Sequence, residues 1–123
     1  MNSLYREEIL DHYQHPHHYG ELENFTHEIK GYNRSCGDEI IWQLRIEQGQ
    51  IIDLRFQARG CVLSIAGASM LSEKLKGRFW REWPQIKEEW EKEHRGRFNP
   101  ARERCWFLAS RTLDKLKLDH AQN

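Results

Sequence analysis

From Ile40 the chain alternates apolar and polar residues with a period of two. Ile40, Trp42, Leu44 and Ile46 fall on one side, and Ile41, Gln43 and Arg45 on the other. Gln48-Gly49 then marks a turn, after which Ile52, Leu54 and Phe56 alternate again. This pattern predicts a β-hairpin with one buried face, and a weaker strand precedes it around Thr26 to Tyr32. Nearer the start, Leu4 to Tyr13 reads as a helix. Ser3 is its candidate cap, and Ile9, Leu10 and Tyr13 form its apolar stripe. His15-Pro16-His17-His18-Tyr19-Gly20 ends that helix. After Gly60-Cys61 the period turns helical through Val62, Ile65, Ala66, Ser69, Met70 and Leu75, with Gly77 as the stop. Phe79 to His94 continues as a second helical stretch around Pro84, with Trp83, Ile86 and Trp90 near helical spacing. A last helix is predicted from about Ala101 to Leu118. Asn99 caps it, Pro100 is its first residue, and Cys105, Leu108, Thr112, Leu113 and Leu116 face inward. Strands first and helices after predict an α+β fold, in which an N-terminal helix and C-terminal helices pack on a small antiparallel sheet.

Composition narrows what such a fold does. The chain has 123 residues, enough for one domain over 1–123 that buries roughly two-thirds of its unfolded surface. Nineteen basic residues balance nineteen acidic ones, which argues against a broad electrostatic grip on nucleic acid or anionic lipid. Mean hydropathy is −0.89, and no apolar run approaches the roughly 20 residues that span a bilayer. The first residues lack the layout of a signal peptide, so a cytoplasmic address is expected.

Three cysteines are an odd number, unlike a secreted disulfide framework. No CxxC pair occurs, which argues against a regular zinc finger or ribbon. Cys36 lies in Asn33-Arg34-Ser35-Cys36-Gly37-Asp38, where a tight turn at Gly37 could aim Cys36 and Asp38 at one point. Cys61 sits where strand hands over to helix, and the positive end of that helix favours thiolate. Cys105 lies beside Arg102 and Arg104, which are expected to favour its thiolate too. Three thiolates and a carboxylate make a four-coordinate set that suits zinc or an iron–sulfur cluster. Spacing alone leaves open whether Cys36, Asp38, Cys61 and Cys105 share one centre or the cysteines are separate core residues.

Several segments in order carry a family likeness. They are Tyr5-Arg6-Glu7-Glu8-Ile9-Leu10-Asp11-His12-Tyr13, Asn33 to Asp38, Gly60-Cys61-Val62-Leu63-Ser64-Ile65-Ala66-Gly67-Ala68-Ser69-Met70, and Arg102-Glu103-Arg104-Cys105-Trp106-Phe107-Leu108. Through them the chain, from about Leu4 to Leu116, resembles the U-type iron–sulfur scaffold family of NifU, IscU and SufU proteins. The resemblance implies a SufE/NifU-like α+β fold with a three-stranded antiparallel sheet and the three cysteines converging at one end. It also implies that Cys36, Asp38, Cys61 and Cys105 hold zinc or a transient [2Fe-2S] cluster. Cys105 or Cys61 would accept sulfur from a cysteine desulfurase, and apo iron–sulfur proteins would be the acceptors. His12 and Tyr13 fall in a matching segment without being ligands there.

The likeness has departures. IscU-type proteins place a histidine before the third cysteine, where this chain has Arg104, and arginine cannot serve as a ligand. Phe98-Asn99-Pro100-Ala101 lacks the chaperone-recognition stretch of that branch. A basic residue there is more similar to SufU proteins, which hold zinc with one aspartate and three cysteines, yet the usual SufU insertion between the second and third cysteines is missing. Gly67 and the tryptophan-rich stretch of Phe79 to Trp90 also depart from the common pattern. A non-enzymatic scaffold is the first reading. A zinc-dependent sulfurtransferase relaying persulfide sulfur from a SufS-type desulfurase is the second, and a structural zinc module the third. His12, His15, His17 and His18 are read as a solvated helix end that binds metal only adventitiously. Trp80, Trp83 and Trp90 are read as core, and Glu88, Glu89, Glu91, Lys92 and Glu93 as a solvated face. Arg102 and Arg104 are read either as helix-surface charge or as guides for an acidic partner.

Overall fold

The computed structural model describes residues 3–117. Its elements are helix α1 (Ser3–Gln14), strands β1 (His27–Asn33), β2 (Asp38–Glu47) and β3 (Gln50–Arg59), and helices α2 (Val62–Leu75), α3 (Trp83–His94), α4 (Pro100–Trp106) and α5 (Leu108–Leu113). The strands form one antiparallel sheet in the order β1-β2-β3. The fold is α+β, as the strand-then-helix order predicts. No helix among the described residues is long and apolar enough to cross a membrane.

Alternation along β2 buries Ile40, Trp42, Leu44 and Ile46. Gln48 (φ 51°) and Gly49 (φ 78°) close the β2–β3 hairpin in the left-handed conformations of a type I′ turn. On β3 the expected phase fails at one residue. Arg45 pairs with Asp53 but Ile46 pairs with Ile51, so Ile52 is an extra, bulged residue. Ile51 is therefore buried and Ile52 exposed. Tyr19 runs beside β3, with Gly20 N–H donating to Phe56 O and Phe56 N–H to His18 O, each at 2.9 Å. That segment covers an edge that would otherwise be free to pair with another chain.

α2 is the central helix and touches α1, α4, α5 and β3. It is buried on most of its circumference from Leu63 to Ser72 rather than along one stripe, with Val62 and Ile65 half-buried. Gly67 makes this possible where α4 crosses: a Cβ there would lie 2.8 Å from Trp106 O and 3.3 Å from the Trp106 ring. α1 includes Ser3 as a helical residue, and its inward face is Tyr5, Ile9 and His12, while Leu10 and Tyr13 are exposed. A histidine occupies the apolar stripe because α2 offers it polar partners: His12 Nδ1 lies 2.7 Å from Ser69 Oγ. His18 Nδ1 is likewise 2.9 Å from Ser72 Oγ. The histidine-rich segment is thus docked on α2 and not simply solvated.

Trp83, Ile86 and Trp90 bury one face of α3, Trp80 stacks on Trp83, and Glu88, Glu89, Lys92 and Glu93 stay exposed. The single last helix that periodicity predicts is instead two. Phe107 adopts φ −87°, ψ 5° between α4 and α5. The break lets Cys105, Trp106, Leu108, Ala109 and Ser110 all face inward, which a straight helix of period 3.6 cannot do. Asn99 caps α4 as expected, its Oδ1 accepting the Arg102 N–H at 2.9 Å. The last helix ends at Leu113, with 114–117 non-helical, short of the expected end at Leu118, which itself lies outside the described residues.

Candidate metal centre

Three loops and helix ends meet at one end of the sheet. β1 and β2 are joined by residues 34–37, and Gly37 (φ 71°) takes the left-handed turn that returns the chain as Asp38. Cys36 is exposed in that loop, whereas Asp38, opposite Asn33 at the start of β2, is 2% exposed. Asp38 Oδ1 accepts the Cys61 N–H at 2.8 Å, tying the β2 start to the head of α2. Gly60 precedes that contact with φ 120°, and a Cβ on it would lie 2.2 Å from Asp38 Oδ1. Only glycine satisfies both the backbone angle and the space.

Cys61 is the N-cap of α2, and its Sγ accepts the Leu63 N–H at 3.4 Å. The helix-end setting expected of this thiol is present. Cys105 stands on the last turn of α4 and is 3% exposed; Asn33 Nδ2 donates toward its Sγ at 3.7 Å. Burial pushes the Cys105 thiol well above its ordinary range, followed by contacts with Asp38 and Cys36 and the charge of Cys61. The expectation that Arg102 and Arg104 favour a Cys105 thiolate is therefore not met, because both arginines point into solvent. The guanidinium whose charge couples to Cys105 is Arg111 of α5.

The Cys36 sulfur, a carboxylate oxygen of Asp38 and the Cys105 sulfur lie within 4.8 Å of one another. Cys61, held by the Leu63 N–H, stands next to this trio but outside that radius. Sulfurs on a tetrahedral zinc with bonds of about 2.3 Å are roughly 3.8 Å apart, a spacing that donor atoms gathered within 4.8 Å can reach. Asp38 Oδ2 is buried without a hydrogen-bond partner. Buried carboxylate oxygens are seldom left unpaired without reason, and soft sulfurs beside a hard oxygen fit zinc or a cluster iron. An open cavity of about 350 Å³, lined by Tyr32, Asn33, Arg34, Gly37, Asp38 and Glu39, adjoins the loop and gives it access to solvent. Sequence reasoning missed Gly60, Asn33 and Arg111 as parts of the site. For Gly60 the signal was present, a glycine directly before a helix-capping cysteine.

Comparison with known proteins shows the family. The family described as "NifU-like N terminal domain" matches residues 4–119. The chain is 35% identical over 127 residues to the iron–sulfur cluster assembly scaffold protein IscU of Thermotoga maritima, covering 89% of each. It is 35% identical over 78 residues to the zinc-dependent sulfurtransferase SufU of Bacillus subtilis, covering 63% of this chain and 52% of that protein. A Fervidobacterium islandicum protein named as an iron–sulfur cluster assembly scaffold for the SUF system shares the fold, with a TM-score of 0.75 at 23% identity, covering 88% of this chain and 92% of that one. The chain belongs to the NifU-like N-terminal domain family.

Proposed function

We propose that this protein is an iron–sulfur cluster assembly scaffold that accepts sulfur from a cysteine desulfurase and hands a transient cluster to apo iron–sulfur proteins. The observation that carries the reading is the convergence of Cys36, Asp38 and Cys105 donor atoms within 4.8 Å around a buried carboxylate oxygen that lacks a partner. Membership of a family whose relatives are named as cluster assembly scaffolds supports it. Cys36, Asp38, Cys61 and Cys105 are the proposed ligands, with Cys61 joining when its sulfur leaves the Leu63 N–H. A desulfurase partner fits the reducing cytoplasm, where free thiols persist.

Sulfur would enter by thiolate exchange. A scaffold thiolate attacks the outer sulfur of the desulfurase persulfide, an S–S bond forms on the scaffold, and the desulfurase cysteine leaves as thiolate. Exposed Cys36 meets a partner first by geometry, while Cys61 at its helix end and buried Cys105 are the acceptors that the family likeness points to. Cys105 is held as a thiol by burial, so it becomes an attacking thiolate only when a metal or base takes its proton.

A second reading is favoured by Arg104 before Cys105 and by the likeness to a protein named as a zinc-dependent sulfurtransferase. In that case Cys36, Asp38, Cys61 and Cys105 hold zinc, which lowers thiol pKa values, and the chain relays sulfur without building a cluster. Purified protein separates the two. A reconstituted cluster that passes intact to an apo-acceptor supports the scaffold. Stoichiometric zinc, stimulated desulfurase turnover and no transferable cluster support the relay and overturn the scaffold reading.

A further inference from the structure

A second group of ligating side chains lies away from the cysteines, where α1 and the segment after it dock on α2. His12 Nε2 is 3.2 Å from Glu73 Oε1, and His17 Nδ1 is 3.3 Å from the same oxygen. The three groups offer donor atoms within 4.8 Å of one another. Around a tetrahedral ion with bonds of about 2.1 Å to nitrogen and oxygen, neighbouring donors stand roughly 3.4 Å apart. The two nitrogen–oxygen separations already match that spacing.

The pair of imidazoles is held from behind. Ser69 Oγ lies 2.7 Å from His12 Nδ1 and accepts the His17 backbone N–H, also at 2.7 Å. One fully buried serine thus fixes the His12 ring, directs its Nε2 at Glu73, and pins the backbone that carries His17. Metal-binding histidines characteristically have their second nitrogen held in this way. His12 is buried while His17 and Glu73 remain nearly half exposed, so an ion would keep open positions toward solvent. Glu73 also lines a cleft of about 260 Å³ with Glu8 and Glu93, whose net charge attracts cations despite Lys74.

We propose that His12, His17 and Glu73 form a second binding site, independent of the cysteines, for a divalent first-row transition metal such as Zn²⁺ or Fe²⁺. Two imidazoles and one carboxylate with open positions suit those ions. The bound ion staples the end of α1 to α2.

Cobalt titration of the metal-stripped full-length chain tests this, because thiolate-bound Co²⁺ shows a sulfur-to-metal charge-transfer band and imidazole–carboxylate-bound Co²⁺ does not. The wild type is expected to take two Co²⁺, only one of them with that band. Glu73→Gln and His17→Asn, both at half-exposed side chains, are expected to keep the banded equivalent and weaken the other at least about tenfold. One unbanded equivalent that His17→Asn abolishes would support this site while removing the cysteine centre. A single, banded equivalent in the wild type, or a second equivalent that survives both substitutions, would overturn the proposal.

Discussion

His94 is fully buried at the end of α3, between the rings of Trp90 and Trp106, and the Tyr5 hydroxyl lies 2.5 Å from its Nδ1. Burial, then the charges of Arg97 and Lys74, lower its pKa from 6.5 to about 4. A proton on Nδ1 would also cost the hydrogen bond from Tyr5. Between those two values the unfolded chain binds a proton that the folded chain refuses, so stability rises with pH across this window and falls on acidification. From pH 7 to pH 5 the loss from this one residue is 2.303RT times about 1.5, or about 2 kcal/mol. In a chain of this size that corresponds to a fall in Tm of roughly 8 °C. His12 and His18, also lowered chiefly by burial, add in the same direction, so the contribution must be isolated by substitution. His94→Asn keeps an acceptor near Tyr5 but has nothing to titrate. Urea unfolding with chelator present, at several pH values, should give a shallower stability–pH slope for the variant, the curves converging by about 2 kcal/mol toward pH 5. Parallel curves for the two proteins would refute the reasoning.

Three further outcomes follow from the site. Gly60→Ala should destabilise the fold by about 1–3 kcal/mol and also weaken zinc binding at least tenfold, because the new methyl displaces the carboxylate that holds the Cys61 N–H; thermal melts and chelator competition measure both, and unchanged zinc affinity would contradict it. Asp38→Ala should lengthen the lifetime of a reconstituted cluster, as followed by its visible absorbance, if release begins at the carboxylate. An unaltered decay together with unaltered zinc affinity would take Asp38 out of the site. Stripping metal should lower Tm, since ligand binding to the native state adds to folding stability; equal melting temperatures with and without chelator would contradict a shared site.

Much of the sheet was legible because a period of two can be read directly where one face is buried, as in Ile40 to Ile46. The bulge at Ile52 was not, because the inserted residue is itself apolar and carries no local mark. The inward face of α1 was misjudged for a related reason: His12 is polar in the sequence and becomes an interior residue only through Ser69 and Glu73 on α2. The break at Phe107 was hidden because Cys105, Leu108 and Thr112 do keep helical spacing, and only the additional burial of Trp106 and Ala109 demands a kink. At the candidate metal centre the element ends and the Gly37 turn could be read from residue types. The Asp38 bond to the Cys61 N–H and the burial of Cys105 depend on contacts between segments far apart in the chain.

The account rests on four side chains from separate segments closing on one ion. X-ray absorption at the zinc edge, on stripped protein given one equivalent of Zn²⁺, tests this most directly. Three sulfurs at about 2.3 Å and one oxygen at about 2.0 Å are expected. A shell of nitrogen and oxygen alone, or a wild-type shell with fewer than three sulfurs, would contradict it.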